Sequence, residues 1–166
     1  MVKKVNSTFR GKPASQGEFI LFTMMGQALL NIQVMEECLS MSITLKADVG
    51  HPKNVSKNEA DELLKKRRSL TLGKAITEAK KHNIYQGELQ DALKAFLDDR
   101  NWLVHKSIDD FYAPTGKDLL LKRLANIAND AHKLQREIED DLIKFSESNG
   151  LDMSKVKQYI SQLEHQ

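Results

Sequence analysis

Three side chains suited to acid–base or anion-binding chemistry stand close together in residues 100–105 (RNWLVH). An arginine guanidinium keeps its charge and presents a fork of donors that fits a phosphate. A histidine changes charge near neutral pH and can therefore transfer protons, and an asparagine amide can orient a partner by hydrogen bonding. Arg100, Asn101 and His105 thus offer a cation, an amide and an imidazole within about one and a half helical turns.

The surrounding sequence predicts an amphipathic helix from about Gly87 to Ile108 that carries these three side chains. At about 100° of rotation per residue, one face is apolar and Arg100 projects from its middle. The residues of that face are Leu89, Leu93, Phe96, Leu97, Leu103, Val104 and Ile108. Because an unpaired buried guanidinium is costly, Arg100 must either pair with an acid or face a cleft that holds an anion. The candidate acids are Asp98, Asp99, Glu36 and Glu37.

The segment resembles the R-x(4–6)-H motif of HEPN domains, in which a polar residue, often asparagine, follows the arginine. HEPN proteins are small all-α domains, and many are metal-independent endoribonucleases of toxin–antitoxin, abortive-infection and other defence systems. The resemblance covers the helices from about residue 18 to 146, and its specific part is residues 100–105. It implies that His105 is the acid or base, Arg100 the ligand of the phosphate and transition state, and Asn101 an orienting residue.

RNA cleavage suits these groups because RNA supplies its own nucleophile, the 2′-hydroxyl beside each phosphate. The reaction needs one group to remove that proton, another to protonate the leaving 5′-oxygen, and positive charge on the pentavalent phosphorane. Arg100 and His105 differ by about 500° of helical rotation, so their side chains leave a straight helix about 140° apart. The resemblance implies that a homodimer resolves this separation by joining two motifs in one composite cleft.

Further RNA contacts are predicted for one aromatic and several basic residues. Trp102 projects nearly opposite the apolar face, where it would line a subunit contact, stack on a base or pack against a neighbouring helix. The basic residues are Lys106 and the run Lys65, Lys66, Arg67 and Arg68. This run would bind phosphate or simply form a solvated helix end, and His105 has the alternative of an ordinary surface histidine.

Composition indicates one soluble helical domain, since 166 residues suffice for a core and 40% of them are hydrophobic. The net charge of +2 is unevenly spread: residues 1–12 and 57–82 each carry +4, and residues 135–166 carry −3. Such asymmetry suits a polyanionic partner or a solvated surface. The single cysteine, Cys38, excludes an internal disulfide and is predicted to be a buried thiol. Metal-ligand spacings and phosphate-binding glycine loops are absent from the sequence, so no metal or cofactor is expected.

The elements that position these residues are predicted to form an all-α, up-down bundle of four main helices with short additional helices. Residues 1–16 are predicted to be a flexible arm and 17–166 one domain. The first helix, about 18–46, has too many apolar residues for one face, and its far side is predicted to meet another subunit. The later helices are predicted at about 57–68, 71–82, 87–108, 117–146 and 153–163.

Residues 19–35 carry no charge and follow a basic start, as signal peptides do. This run is at the lower length limit for a membrane span and contains Gln27, Asn31 and Gln33, without a small-residue cleavage site after it. The chain is therefore predicted to be cytoplasmic, without a membrane partner.

The predicted function is a homodimeric, metal-independent HEPN endoribonuclease that cleaves single-stranded RNA as a toxin or phage-defence effector. An antitoxin or regulatory protein is a further predicted partner. One alternative is a non-catalytic HEPN-like module that binds a nucleotide or a protein through the same cleft. Another is a helical interaction protein whose charge-free first helix pairs with a partner subunit.

Overall fold

A computed structural model of the chain describes residues 8–9, 12–13, 15–51, 54–112 and 116–163. Seven α-helices and one π-helix lie in this part of the chain, so the predicted all-α fold is confirmed. The helices are α1 Gln16–Ile43, the π-helix Thr44–Val49, α2 Lys57–Arg68, α3 Leu72–Lys81, α4 Glu88–His105, α5 Ser107–Tyr112, α6 Lys117–Ser148 and α7 Ser154–Leu163. The up-down arrangement of the four main helices stays a prediction.

A two-stranded antiparallel ladder precedes α1 and consists of β1 (Thr8–Phe9) and β2 (Lys12–Pro13). Its register pairs Thr8 with Pro13 and Phe9 with Lys12. Most of the predicted flexible arm, residues 1–16, lies outside the described residues. The described residues of the arm therefore include a two-stranded ladder, which the sequence did not predict.

The start of α1 is determined by a capping box. The Ser15 hydroxyl accepts a hydrogen bond from the Glu18 backbone N–H at 3.3 Å, and the Glu18 carboxylate accepts one from the Ser15 N–H at 2.7 Å. These bonds favour the charged carboxylate and lower the pKa of Glu18. The cap starts the helix at Gln16, two residues before the predicted position.

α1 buries one face in the core and leaves apolar residues on its other side. The buried apolar residues recur every three to seven positions and are Leu21, Ala28, Ile32, Met35, Leu39 and Ile43. The exposed ones are Phe19, Ile20, Phe22, Leu29, Leu30, Val34 and Met41. One face therefore does not hold all the apolar residues, as predicted from their number, and the subunit contact inferred from that number stays a prediction.

The continuous helix Gln16–Val49 is long and apolar enough to cross a bilayer, by length and composition alone. A core helix of a soluble protein and an N-terminal signal sequence meet the same criterion. The cytoplasmic location and the lack of a membrane partner therefore stay predictions.

α6 is the main partner of α1, and α4 packs against both α6 and α3. The predicted core positions of α6 are buried over its first two thirds, namely Leu120, Leu124, Ile127, Ala131, Leu134 and Ile138. Beyond them, Ile143 and Ser146 are buried, whereas the predicted Leu142 and Phe145 are only half-buried. A seven-residue pattern drifts by about 20° per heptad on a straight α-helix, so its stripe leaves the core after several heptads.

The helix that carries the RNWLVH segment is shorter than predicted. It ends at His105, and Lys106 leaves the helical conformation with a φ of −126°. The short helix α5 then begins at Ser107, whose hydroxyl is buried and donates to the Leu103 carbonyl at 2.6 Å. The interruption makes His105 the last residue of α4, next to a turn residue.

Candidate functional site

An open groove of about 550 Å³ lies between the C-terminal half of α4 and the first turns of α6. Its lining residues are Asp98, Asn101, Trp102, His105, Lys106 and Arg123. The four α4 helix residues stand at positions i, i+3, i+4 and i+7, which share one face of a helix. The groove therefore brings together four predicted site residues: the amide, the indole, the imidazole and the lysine that follows it.

The groove wall carries charges of both signs. Lys106 and Arg123 contribute two positive charges, and Asp98 contributes one negative charge. His105 is exposed at this wall. Asp99 and Asp110 contact the groove residues Arg123 and Trp102. The groove therefore offers an anion two cations, Lys106 and Arg123, rather than a surplus of positive charge.

Trp102 is buried, with 8% of its surface exposed, so the prediction that it projects away from the core is wrong. Its indole N–H donates to Asp110 Oδ2 at 2.9 Å, and the Cζ atom of Arg123 lies 3.7 Å from its ring centre. The rotation estimate treated α4 as an isolated helix, whereas α5 and α6 cover this side. Of the alternatives predicted for Trp102, the structure shows packing against a neighbouring helix. Stacking of Trp102 on an RNA base stays a prediction, and the base would have to displace Arg123 from the ring.

Arg123 is a groove residue that the sequence analysis missed. Its Nη2 donates to Asp99 Oδ1 at 3.0 Å, and both side chains are about two-fifths exposed. The sequence feature that could have identified Arg123 is its position next to Leu124, a residue of the predicted core stripe of α6. This position places Arg123 near a neighbouring helix. Periodicity could not identify that helix as α4, because the pairing of α4 with α6 is a tertiary contact.

Arg100 does not line the groove and instead pairs with α1. Its Nε lies 3.4 Å from Glu36 Oε1, and its Nη1 lies 3.5 Å from the Asn101 side-chain oxygen. The side chain is 24% exposed. The sequence predicted that Arg100 either pairs with an acid or faces a cleft that holds an anion, and in the structure it pairs with an acid. The contact is long and involves a single pair of atoms. The wide angle predicted between Arg100 and His105 agrees with their assignment to different sides of α4.

The basic run at the end of α2 is mostly matched by acids of the chain. Arg67 donates from Nε and Nη2 to Asp48 at 2.8 and 2.7 Å and from Nη1 to Glu78 at 2.9 Å. The hydrogen bond from Arg67 is the largest cause of the lowered pKa of Glu78. Arg68 pairs in a fork with Glu37, with one bond of 2.8 Å.

The two lysines of this run differ from its arginines. Lys65 is exposed and stands 3.9 Å from the equally exposed Glu62, and Lys66 is also exposed. RNA binding by the run stays a prediction, and for the two arginines it would require breaking ion pairs within the protein. The lysines need no such exchange, because exposed pairs contribute little.

A second cavity, of about 210 Å³, lies where α1 meets α2 and α3. Glu36, Glu37 and Arg68 are part of its wall. Both glutamates already pair with arginines, the first with Arg100 and the second with Arg68. Two carboxylates on the wall make this cavity less suitable for a phosphate than the groove between α4 and α6.

Within the described part of the chain, no group of three or more His, Cys, Asp or Glu side chains is arranged to hold a metal ion. In comparisons with protein-family models, curated proteins and solved structures, nothing matches this chain.

Proposed function

We propose that the chain is a metal-independent endoribonuclease of HEPN type that cleaves single-stranded RNA as a homodimer. The observation that carries this proposal is the groove in which Asn101, His105 and Lys106 meet beside a positively charged neighbour on α6. Its volume falls within the usual range for small-ligand sites, about 300–1,000 Å³. A nucleotide with its phosphate is therefore of suitable size and charge.

In the proposed reaction, the 2′-oxygen attacks the adjacent phosphorus, its proton leaves to a base, and the bond to the 5′-oxygen breaks as that oxygen gains a proton. The products are a 2′,3′-cyclic phosphate and a free 5′-hydroxyl, and no water or metal enters. His105 is suited to either proton transfer because it is exposed at the groove. Asn101, one turn earlier, would orient the phosphate or the histidine, and Lys106 would add positive charge.

Dimerisation is supported by apolar surface beside Arg100. Val104 stands one turn after this arginine on α4, Ile108 lies beyond the helix break on α5, and both are nearly half exposed. α1 exposes Leu29 and Leu30 as well. A second subunit covering this surface would bring Arg100 to the subunit boundary, where it would exchange its long contact with Glu36 for a phosphate bound in the partner's groove.

The biological role that we propose is a cytoplasmic toxin or phage-defence effector, with an antitoxin or another regulatory protein as its partner. Growth arrest on expression, relieved by the inactivating substitutions described next, would support this role. Unchanged growth during confirmed RNA cleavage by the expressed protein would contradict it.

The proposed nuclease activity is tested with purified protein and end-labelled single-stranded RNA in EDTA. We expect cleavage that leaves 2′,3′-cyclic phosphate ends, and a loss of at least about 100-fold for His105→Ala, the usual scale for a general acid or base. His132→Ala, which removes an exposed histidine from α6 outside the groove, is the matched control and should cleave normally. Arg100→Ala should also lose cleavage while keeping its fold, and retained activity in both the Arg100 and His105 variants would refute the proposal.

A non-catalytic module that binds a nucleotide or protein is the second candidate, and the Arg100–Glu36 contact favours it. In this case Arg100 joins α4 to α1 and the groove binds without reaction. We would then expect nucleotides to raise the melting temperature while RNA stays intact, and His105→Ala to bind as the wild type does.

A further inference from the structure

We infer that Arg123 is the phosphate-binding residue of the groove that contains His105. This inference rests on the proposed function for the identity of its ligand, the sugar-phosphate backbone of single-stranded RNA. Within one subunit, Arg123 would bind the phosphate beside His105, whereas the contact proposed above for Arg100 is made to a phosphate in the partner's groove.

The position of Arg123 places its charge in the same groove as the proposed proton-transfer group. Arg123 lines that groove together with Asn101 and His105, whereas Arg100 does not line it. Arg100 is instead engaged with Glu36 on the α1 side of α4. Within one subunit, a phosphate next to His105 therefore meets the guanidinium of α6 rather than that of α4.

The donors of Arg123 are only partly used by the protein. A guanidinium has five N–H groups, and the contact to Asp99 at 3.0 Å uses one of them, on Nη2. The stacking on Trp102 covers a face of the planar group and consumes no donor. With 42% of the side chain exposed, the remaining edge can bind a phosphate in the two-pronged geometry that arginine favours.

Trp102 holds Arg123 in place before a ligand arrives. The indole is buried, and its N–H is bonded to Asp110 at 2.9 Å, so the ring cannot turn freely. The guanidinium lies over this ring, with Cζ 3.7 Å from the ring centre. Less side-chain freedom is then lost on binding than for an unrestrained surface arginine, which makes the contact stronger.

The inference is tested by the binding of a 2′-O-methyl oligoribonucleotide, which lacks the nucleophile and cannot be cleaved. Fluorescence anisotropy of the labelled oligonucleotide gives the affinity, and emission from Trp102, the only tryptophan, reports binding at the groove. We expect Arg123→Gln to weaken binding at least tenfold and to lower the slope of log affinity against log salt by about one. Lys122→Gln removes the same charge from the neighbouring exposed residue, outside the groove wall, and should stay within about twofold of the wild type.

A second variant guards against a simple loss of folding. Asp99→Asn removes the carboxylate that competes for Arg123, so we expect binding about threefold tighter than in the wild type. Asp91→Asn makes the same charge change two turns earlier on α4, at another exposed position, and should alter binding by less than half as much. A misfolded protein would not show tighter binding than the wild type.

The inference is overturned if Arg123→Gln binds within twofold of the wild type, or if the wild type binds no RNA or leaves Trp102 emission unchanged. The outcomes separate it from the nuclease proposal. If binding depends on Arg123 and no RNA is cleaved, the nuclease proposal fails and the inference stands. If RNA is cleaved and Arg123→Gln binds and cleaves normally, the inference fails alone.

Discussion

Arg67 and Arg123 carry the same charged group in opposite surroundings. Arg67 is 11% exposed, and all three guanidinium nitrogens donate to Asp48 or Glu78. Arg123 is 42% exposed, has one carboxylate contact, and rests on an indole ring. The first arginine joins α2 and α3 to the π-helix, whereas the second keeps donors for a ligand.

The same contrast extends to a pair of lysines, Lys46 and the groove residue Lys106. Lys46 of the π-helix is also enclosed, pairs with Asp141, and lies 5.3 Å from the ring centre of Tyr85 and 5.5 Å from that of Phe145. We call Lys46, Asp48, Arg67, Glu78 and Asp141 the paired region. Its opposite charges satisfy one another, and π-helical turns alone do not make it a binding site. The groove instead presents its imidazole and lysine to solvent.

The largest expected effect concerns the thiol of Cys38, near the paired region. Cys38 is half-buried rather than fully buried as predicted, because it stands at the edge of the face that α1 turns to the core. Its partial burial, and secondarily the charge of Glu139, raises the pKa of the thiol to about 12, and Sγ donates to Glu139 Oε1 at 3.6 Å. Since the thiolate is the reactive form, alkylation by iodoacetamide at pH 8 should be about 1,000-fold slower than for a thiol with a pKa of 9.0. Mass spectrometry of native and urea-unfolded protein measures this rate difference.

Glu139→Gln is the informative variant for Cys38, because it removes the neighbouring negative charge and should speed alkylation of the native protein. Equal alkylation rates for Cys38 in the native and the unfolded wild type would show that solvent and reagent reach this thiol freely in the folded protein, and would contradict the prediction.

The next largest effect is expected for Arg67→Met. This change leaves Asp48 and Glu78 facing each other without their cation, and we expect it to lower the free energy of unfolding by about 3 kcal/mol. Arg123→Met, which breaks a pair between two well-exposed side chains, should cost less than about 1 kcal/mol. Urea unfolding followed by circular dichroism compares the two, and similar losses would contradict the distinction between them.

A smaller effect is expected for Tyr85→Phe. The Tyr85 hydroxyl is buried and donates to Ser42 Oγ at 2.6 Å, so its removal should cost about 1 kcal/mol. Burial is the largest cause of the raised pKa of Tyr85. The neutral Tyr85 side chain therefore contributes its full share of the free energy of unfolding below the unfolded-state pKa of about 10. This contribution is lost as the pH rises through the pKa of Tyr85 in the folded state.

The pH dependence gives a second measurement for the same substitution. Between about pH 10 and 11 the stability of the wild type should fall more steeply than that of Tyr85→Phe, because only the wild type has this buried phenol to ionise. Parallel declines for the two proteins would mean that the ring is hydrated.

The smallest effects on stability are expected in the groove. His105→Ala and Asn101→Ala remove exposed side chains and should change the free energy of unfolding by no more than about 0.5 kcal/mol. A loss of more than about 2 kcal/mol in either variant, measured by urea unfolding, would assign these residues to the structure rather than to a ligand. Thermal melts of the same variants provide an independent check.

The part of the fold that followed from local chemistry was predictable. The capping box of Ser56 and Glu59 and the basic end of α2 indicated a helix over 57–68, and α2 occupies Lys57–Arg68. In this box the Ser56 N–H donates to the Glu59 carboxylate at 2.7 Å, which requires only residues three apart. Most of the core stripe of α6 followed in the same way, because a helix repeats its faces whatever packs against them.

The candidate site was predictable in part. The sequence singled out Asn101, Trp102, His105 and Lys106, and the groove contains all four. The burial of Trp102 and the contribution of Arg123 were not predicted, since both depend on α6 crossing α4. The choice of Glu36 among four acids for Arg100 was equally open, because it depends on how α1 lies beside α4.

By itself the sequence determined where most helices begin and end, most of the face that α6 buries, and that Arg100 leaves its helix in a different direction from Asn101 and His105. These properties depend on hydrogen bonds and side-chain spacing within a few residues. The sequence did not determine the buried face of α4, where Trp102 is buried and the predicted face residues Val104 and Ile108 are nearly half exposed. Only the tertiary structure decided which charges are matched inside the protein and which face a groove. A guanidinium is neutralised by whichever carboxylate the packing brings within about 4 Å, and the arginine–carboxylate pairs described in this chain join residues from 11 to 64 positions apart.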